Sequence, residues 1–214
     1  MAAITRLGVL GGSFDPIHIG HLLVAQTAAE ALALQRVLFV PAGVPPHKIG
    51  KHQEDADVRL AMVRSAVSDN PLFAVSTVDL DRPAPQYTAD TLALLQQEYG
   101  LDADSLFFIL GSDLLAKLHT WHRPEQVAAG CRLVAIQRPG FALDLDGVYS
   151  RVPQSRGRIH VVNMPALGVS SSLLRQMVRE GRSLRYWVPE AVAAIIAEKG
   201  LYRVEHSSDG AEVH

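Results

Sequence analysis

Six short apolar runs constrain this chain more than any other feature: "LGVL" (7–10), "VLFV" (37–40), "LFAV" (72–75), "LFFIL" (106–110), "LVAI" (133–136) and "IHVV" (159–162). Each is four or five residues long and does not alternate with polar residues. That is the pattern of strands covered on both faces, as in a parallel sheet. Helical patterns lie between them. Leu22, Ala25, Ala29 and Leu32 fall at helical spacing within 19–33, and Val58, Met62 and Ala66 do so within 55–68. "TADTLALLQQEYG" from Thr88 has a Thr start and a Gly stop; "SSLLRQMVREG" and "PEAVAAIIAEKG" begin on Ser and Pro and also end on Gly. Strands alternating with helices predict an α/β fold with a doubly wound, mostly parallel sheet and right-handed crossovers. A small helical C-terminal part follows, about 170–204. The expected organisation is one domain over 1–204, with a frayed polar tail at 205–214. The stretch "RPGFALDLDGVYSRVPQSRGR" (138–158) reads as a long loop, hence functional or mobile.

Composition then removes whole classes of function. Hydrophobic residues make up 48% and charged residues 20%, a globular balance. No run approaches the roughly 18 apolar residues of a membrane span. The N-terminus carries no charged region ahead of an apolar core, so no signal peptide is expected and a cytoplasmic location is. A net charge of −2 argues against a nucleic-acid partner. The single cysteine, Cys131, excludes an intrachain disulfide. It opens the apolar run "CRLVAI" and is expected to be an inert packed thiol.

Ligands of open α/β sheets bind beyond the carboxyl ends of the strands, and the unusual segments fall there. "GGSFDPIHIGH" follows the first strand, "PAGVPPHK" the second, "GSD" the fourth, "QRPG" the fifth, and "VSSSLLR" comes shortly after the sixth. In the first of these, Gly11 and Gly12 allow close ligand approach and Pro16 fixes a turn. The next helix is expected to start at Ile17 to Ile19. His18 and His21 then share one face of its first turn, beside free N–H groups and a partial positive charge. Gly20, without a side chain, leaves room for a flat group such as a base. Spacing alone leaves three readings open: phosphate donors, histidines with no special role, and metal ligation. The last is weakened because an i, i+3 pair without an obvious third ligand makes a poor zinc site.

"GGSFDPIHIGHL" resembles the signature of the HxGH nucleotidyltransferase superfamily. The tetrad "HIGH" also occurs in class I aminoacyl-tRNA synthetases, a reading disfavoured by the chain's length and the lack of a clear basic anticodon-binding region. "PPHK" (45–48), "YTADTL" (87–92), "FILGSDLLAKLHTW" (108–121) and "VSSSLLR" (169–175) narrow the resemblance to bacterial nicotinate-mononucleotide adenylyltransferases. The motifs keep the family's order from residue 8 to about 175. Two departures stand out. Val169, Ser172 and Leu174 replace Ile, Thr and Ile in the late motif, and His122 replaces the Tyr that usually follows the Trp.

The resemblance implies a Rossmann-like nucleotidyltransferase fold. It also implies a reaction joining ATP to nicotinate mononucleotide, with release of pyrophosphate and formation of deamido-NAD. Mg²⁺ would accompany the ATP, with Asp15 and Asp113 as outer-shell partners only. Catalysis falls to His18, His21 and Arg175. ATP binding falls to Gly11, Gly12, Ser13, Phe14, His18, Gly20, His21, Gly111, Asp113, Ser170, Ser171, Ser172 and Arg175. The pyridine nucleotide falls to His47, Lys48, Thr88, Trp121, His122 and Arg138, with Trp121 as a stacking face and Thr88 as a donor to the carboxylate. Plainer roles compete at several of these positions: helix capping for Asp113 or one of the serines, packing for Trp121, and solvation for Lys48. Nicotinamide mononucleotide or phosphopantetheine as acceptor, and a nucleotide-binding module without turnover, are the rival readings. A homo-oligomer is left open.

Overall fold

The computed structural model describes residues 4–43, 53–140 and 142–203. His47 and Lys48 lie outside the described residues, as does the predicted tail, 205–214. All six apolar runs are strands: β1 (Leu7–Gly12), β2 (Arg36–Pro41), β3 (Phe73–Val75), β4 (Leu106–Gly111), β5 (Arg132–Gln137) and β6 (Ile159–Asn163). They form one sheet in the order β3-β2-β1-β4-β5-β6, with every pairing parallel.

Burial on both faces explains why the strand sequences do not alternate. Val37, Phe39, Phe107, Ile109, Val134 and Ile136 enter one apolar core, while Leu38, Val40, Leu106, Phe108, Leu133 and Ala135 enter the other. The first core is closed by α1 (Ile19–Ala31), α2 (Ala56–Val67), α7 (Ser171–Arg179) and α8 (Glu190–Glu198), through Ala25, Met62, Leu174, Met177, Val192 and Ile196. The second is closed by α3 (Thr88–Tyr99), the single turn α4 (Ser112–Leu115), α5 (Pro124–Gly130) and α6 (Leu145–Arg151). The C-terminal helices thus share the first core with α1 and α2.

The long loop predicted at 138–158 is a correction. It contains α6 and a 3₁₀ turn, Pro153–Ser155. The Asp144 carboxylate accepts the Gly147 N–H at the start of α6, and Val148 and Val152 are buried in the second core. After β4 the chain makes the single turn α4, ending at Leu115, and then a 3₁₀ turn at Leu118–Thr120. Cys131 is fully buried, and desolvation pushes its thiol up to about 12. It is packing, as expected.

The order places the reversal of winding between β1 and β4. Crossovers from these two strands run to opposite faces, which opens a crevice beyond their carboxyl ends. "GGSFDPIHIGH" leaves β1 there and "GSD" leaves β4 there.

Candidate active site

The β1–α1 loop is fastened from several sides. The buried Arg59 of α2 donates through Nη1 to the carbonyls of Ser13 and Ala42, both at 2.8 Å, and through Nε to the Glu54 carbonyl at 2.9 Å. Its guanidinium therefore joins the ends of β1 and β2 to the start of α2. Ser171 Oγ donates to the Pro16 carbonyl at 2.8 Å, and Arg175 Nη1 donates to the Asp15 carbonyl at 2.6 Å. Ile19 N–H donates to the Trp187 carbonyl at 3.1 Å. Few of these partners are close in sequence.

On this fixed loop stand the two imidazoles. His18 is the N-cap of α1, in extended backbone, and His21 lies in the first turn. Their rings stack with centroids 3.7 Å apart and planes 22° apart. The His18 backbone N–H donates to His21 Nδ1 at 3.2 Å. An imidazole that accepts at Nδ1 carries its neutral-state proton on Nε2, so His21 is set as an Nε2–H donor. Burial lowers the His18 pKa to about 4, helped by the charge of Arg138, and burial, with His18 and then Arg138 as charged neighbours, lowers His21 well below its ordinary value. At neutral pH both rings are therefore neutral N–H donors. Among the described residues of this edge, Arg138 and Arg175 supply the positive charge.

Two expectations are revised at the loop, at Gly20 and Asp15. The Phe14 side chain is 1% exposed, so it is the backbone of this residue that is left to face a ligand; its ring meets His21 edge-on at 5.1 Å. It stands behind His21 and holds it, in left-handed backbone at φ 48°. Gly20 does not leave a space for a base. A Cβ there would lie 2.7 Å from Val169 Cγ1 and 3.0 Å from His18 Nδ1. Its missing side chain admits Val169 and the His18 ring instead. Asp15 is buried and accepts the Tyr202 hydroxyl at 2.7 Å, so it does not face out toward a metal bound to ATP. Gly20→Ala therefore drives a methyl into the Val169 and His18 side chains. The gain in helix propensity, about 0.5–1 kcal/mol, is outweighed by overpacking of about 1–3 kcal/mol. Chemical denaturation should show net destabilisation, and adding Val169→Ala should restore part of it; unchanged stability in the single variant would contradict the packing described.

The three serines at the start of α7 have separate tasks. Ser170 caps the helix, its hydroxyl accepting the Leu173 N–H at 3.2 Å, and Ser171 is tied to Pro16. Ser172 accepts from Arg175 Nη2 at 3.3 Å. The capping role weighed for one serine holds for Ser170. Gly11 is open, its nearest side-chain neighbour for an added Cβ being Phe108 at 3.9 Å, whereas a Cβ on Gly12 would meet the Phe14 ring at 3.0 Å. Gly111 caps α4, and Asp113 is exposed with Oδ1 folded over that glycine.

Across the β4 end lie the other predicted residues. Trp121 is half-buried and meets Phe108 edge-on at 6.0 Å. The exposed His122 stacks on Tyr87 at 3.9 Å, immediately before Thr88, the first residue of α3. The ring that replaces the family's usual Tyr thus has a stacking partner in this chain. Arg82 donates to the Asp79 carboxylate at 2.7 Å and to Thr91 Oγ1 at 2.6 Å, and Arg123 pairs with Asp90. These bonds lock the start of α3 to the Trp121–Arg123 turn. Sequence reasoning missed this network and the Arg59 clamp. The only signal was the polar content of "DLDRPAPQYTAD" (79–90), and the pairing that ties it to the Trp121 turn, Arg123 with Asp90, is non-local. Arg138, exposed past β5, belongs electrostatically with the two imidazoles. Among the described residues no three His, Cys, Asp or Glu side chains cluster to hold a metal ion.

A six-stranded parallel sheet with nitrogen donors and arginines at its switch point defines a Rossmann-like nucleotide-binding protein. Residues 9–177 match the cytidylyltransferase-like family. Relatives named probable nicotinate-nucleotide adenylyltransferase include those of Thermomicrobium roseum (48% identical, covering 94% of this chain and 92% of the relative) and Roseiflexus sp. (47%, 92% and 98%). A relative of that name from Thermus thermophilus is 44% identical and is covered over its full length, against 92% of this chain. The chain belongs to the cytidylyltransferase-like family, among the nicotinate-nucleotide adenylyltransferases. The fold is shared with the Plasmodium falciparum nicotinic acid mononucleotide adenylyltransferase complexed with NaAD (TM-score 0.73, 20% identity, 92% of this chain and 97% of that one). None of the described helices is long and apolar enough to cross a membrane.

Proposed function

We propose that this chain transfers the adenylyl group of ATP to nicotinate mononucleotide, giving deamido-NAD and pyrophosphate. The observation that carries the reading is the stacked His18–His21 pair, neutral and at the N-terminus of α1, within electrostatic reach of Arg138 and on the same loop whose Asp15 carbonyl holds Arg175. An oxygen of the mononucleotide phosphate attacks the α-phosphorus of ATP, and the bond from that phosphorus to the bridging oxygen breaks, releasing pyrophosphate. A phosphate monoester has its second pKa at about 6, so the nucleophile is already largely dianionic at neutral pH. No base is required, and positioning and charge stabilisation carry the rate. In this reading His21 Nε2–H and His18 donate to phosphate oxygens, and Arg175 supplies charge. A divalent cation, Mg²⁺ in this reading, belongs to the ATP substrate and neutralises its phosphate charge; Asp113 is the exposed carboxylate near this edge.

The second half-site reads the pyridine. Trp121 offers its remaining open face to the ring, and Thr88 at the start of α3 offers a hydroxyl and the helix N-terminus to the carboxylate. An amide in place of that carboxylate loses charge-assisted bonds, so the acid should be preferred. His47 and Lys48 are proposed for the mononucleotide phosphate on the motif alone. The activity is tested by pyrophosphate release from ATP and Mg²⁺ with nicotinate mononucleotide, nicotinamide mononucleotide or phosphopantetheine, side by side. Turnover chiefly with the first supports the reading; turnover only with phosphopantetheine, or none with any, refutes it. Trp121→Ala should raise the nicotinate mononucleotide KM by about three- to tenfold, the value of an aromatic contact, with little change in kcat. A lower Tm with the KM unchanged would make Trp121 packing alone.

A further inference from the structure

Tyr202 has no part in the chemistry above, yet it reaches the site from the far end of the chain. It follows α8, is 9% exposed, and its hydroxyl donates to Asp15 Oδ1 across 187 residues of sequence. The bond is 2.7 Å long. Its backbone is left-handed at φ 62°, which disfavours any residue but glycine. The neighbouring turn is held by Leu201 N–H donating to the Ile196 carbonyl at 3.0 Å. A strained position persists where its surroundings over-determine it.

The other atoms of Asp15 face Arg175. Its carbonyl accepts from Arg175 Nη1 at 2.6 Å, and Oδ2 lies 4.0 Å from the same nitrogen. The Asp15 charge is also felt by Arg59. The carboxylate thus lies near the Arg175 guanidinium and within electrostatic reach of Arg59, and the Tyr202 hydroxyl fixes its rotation. We infer that Tyr202 is a positioning residue for the phosphate edge: through Asp15 it sets where the Arg175 guanidinium points. This rests on the reading of Arg175 as a phosphate-binding cation in the proposed reaction. Without the hydroxyl, Asp15 is free to turn fully toward Arg175 and draw it away from the ligand.

The test is a cycle of Tyr202→Phe and Arg175→Ala, read by titration calorimetry with Mg·ATP and by steady-state kinetics at 25 °C. Tyr202→Phe keeps the ring and removes only the hydroxyl. It should weaken ATP binding by roughly tenfold, the scale of a lost hydrogen bond to a charged group, with the KM for nicotinate mononucleotide unchanged. In the Arg175→Ala background the same change should have almost no effect on ATP affinity. Two results overturn the inference: ATP affinity unchanged in the single variant, whatever happens to Tm, or an equal loss in both backgrounds. Wild-type protein that binds ATP but does not turn over nicotinate mononucleotide would refute the proposed reaction, while the binding cycle would still decide the role of Tyr202.

Discussion

His18→Ala should lower kcat by roughly 100- to 1,000-fold, the usual consequence of removing one preorganised donor to a developing oxyanion. The fold should survive. His18 acts on α1 through its backbone, because its N–H donates to His21 Nδ1, and alanine retains that group. His21 therefore keeps its tautomer, still braced by Phe14 at 5.1 Å. Loss of the stacked ring at 3.7 Å should cost only modest stability. Circular dichroism and a thermal melt beside pyrophosphate-release kinetics check both halves. A variant within threefold of wild-type turnover would remove His18 from the chemistry, and a collapsed fold would make it a structural residue.

Arg59→Ala should have the largest effect on stability. The side chain is 2% exposed and donates to three carbonyls, of Ser13, Ala42 and Glu54. Bonds to a charged donor contribute about 1.5–3 kcal/mol each, and buried acceptors left unpaired add a penalty. Even with partial access of water, a loss of about 3 kcal/mol or more is expected. For a chain of this size that corresponds to a fall in Tm of roughly 6–12 °C. Lysine should rescue poorly, because a single ammonium cannot span the geometry of a planar fork. A Tm within about 2 °C of wild type, outside the range expected for even 1 kcal/mol, would mean that the clamp does not hold the loop.

The two effects separate what was legible in the sequence from what was not. Strand runs such as "LFFIL" were legible because burial on both faces leaves an unbroken apolar stretch, here divided between the two cores as Phe107 and Ile109 on one side and Leu106, Phe108 and Leu110 on the other. The gathering of "GGSFDPIHIGH" and "GSD" at one edge followed from the rule for open sheets and is observed. The roles of single residues within those motifs depended on distant contacts. Gly20 reads as space for a ligand because nothing local announces that Val169 fills it. Phe14 reads as a loop residue until its left-handed backbone turns the ring behind His21. Asp15, Arg59 and Tyr202 are tied by pairings spanning the chain, which periodicity does not encode. Helix α6 was hidden because "LDLDGVYSR" is short, and it is stabilised by the Asp144 cap and two buried valines rather than by a long apolar stripe.

Phosphate must meet the imidazole pair at the start of α1 for the proposed chemistry to hold. A crystal structure with an unreactive ATP analogue and nicotinate mononucleotide tests this most directly. Phosphate oxygens of the analogue should lie within about 3.2 Å of a ring nitrogen of His18 or His21, with the Arg175 guanidinium on the same triphosphate. A triphosphate bound away from both rings, with the imidazoles facing only protein or solvent, would contradict the account.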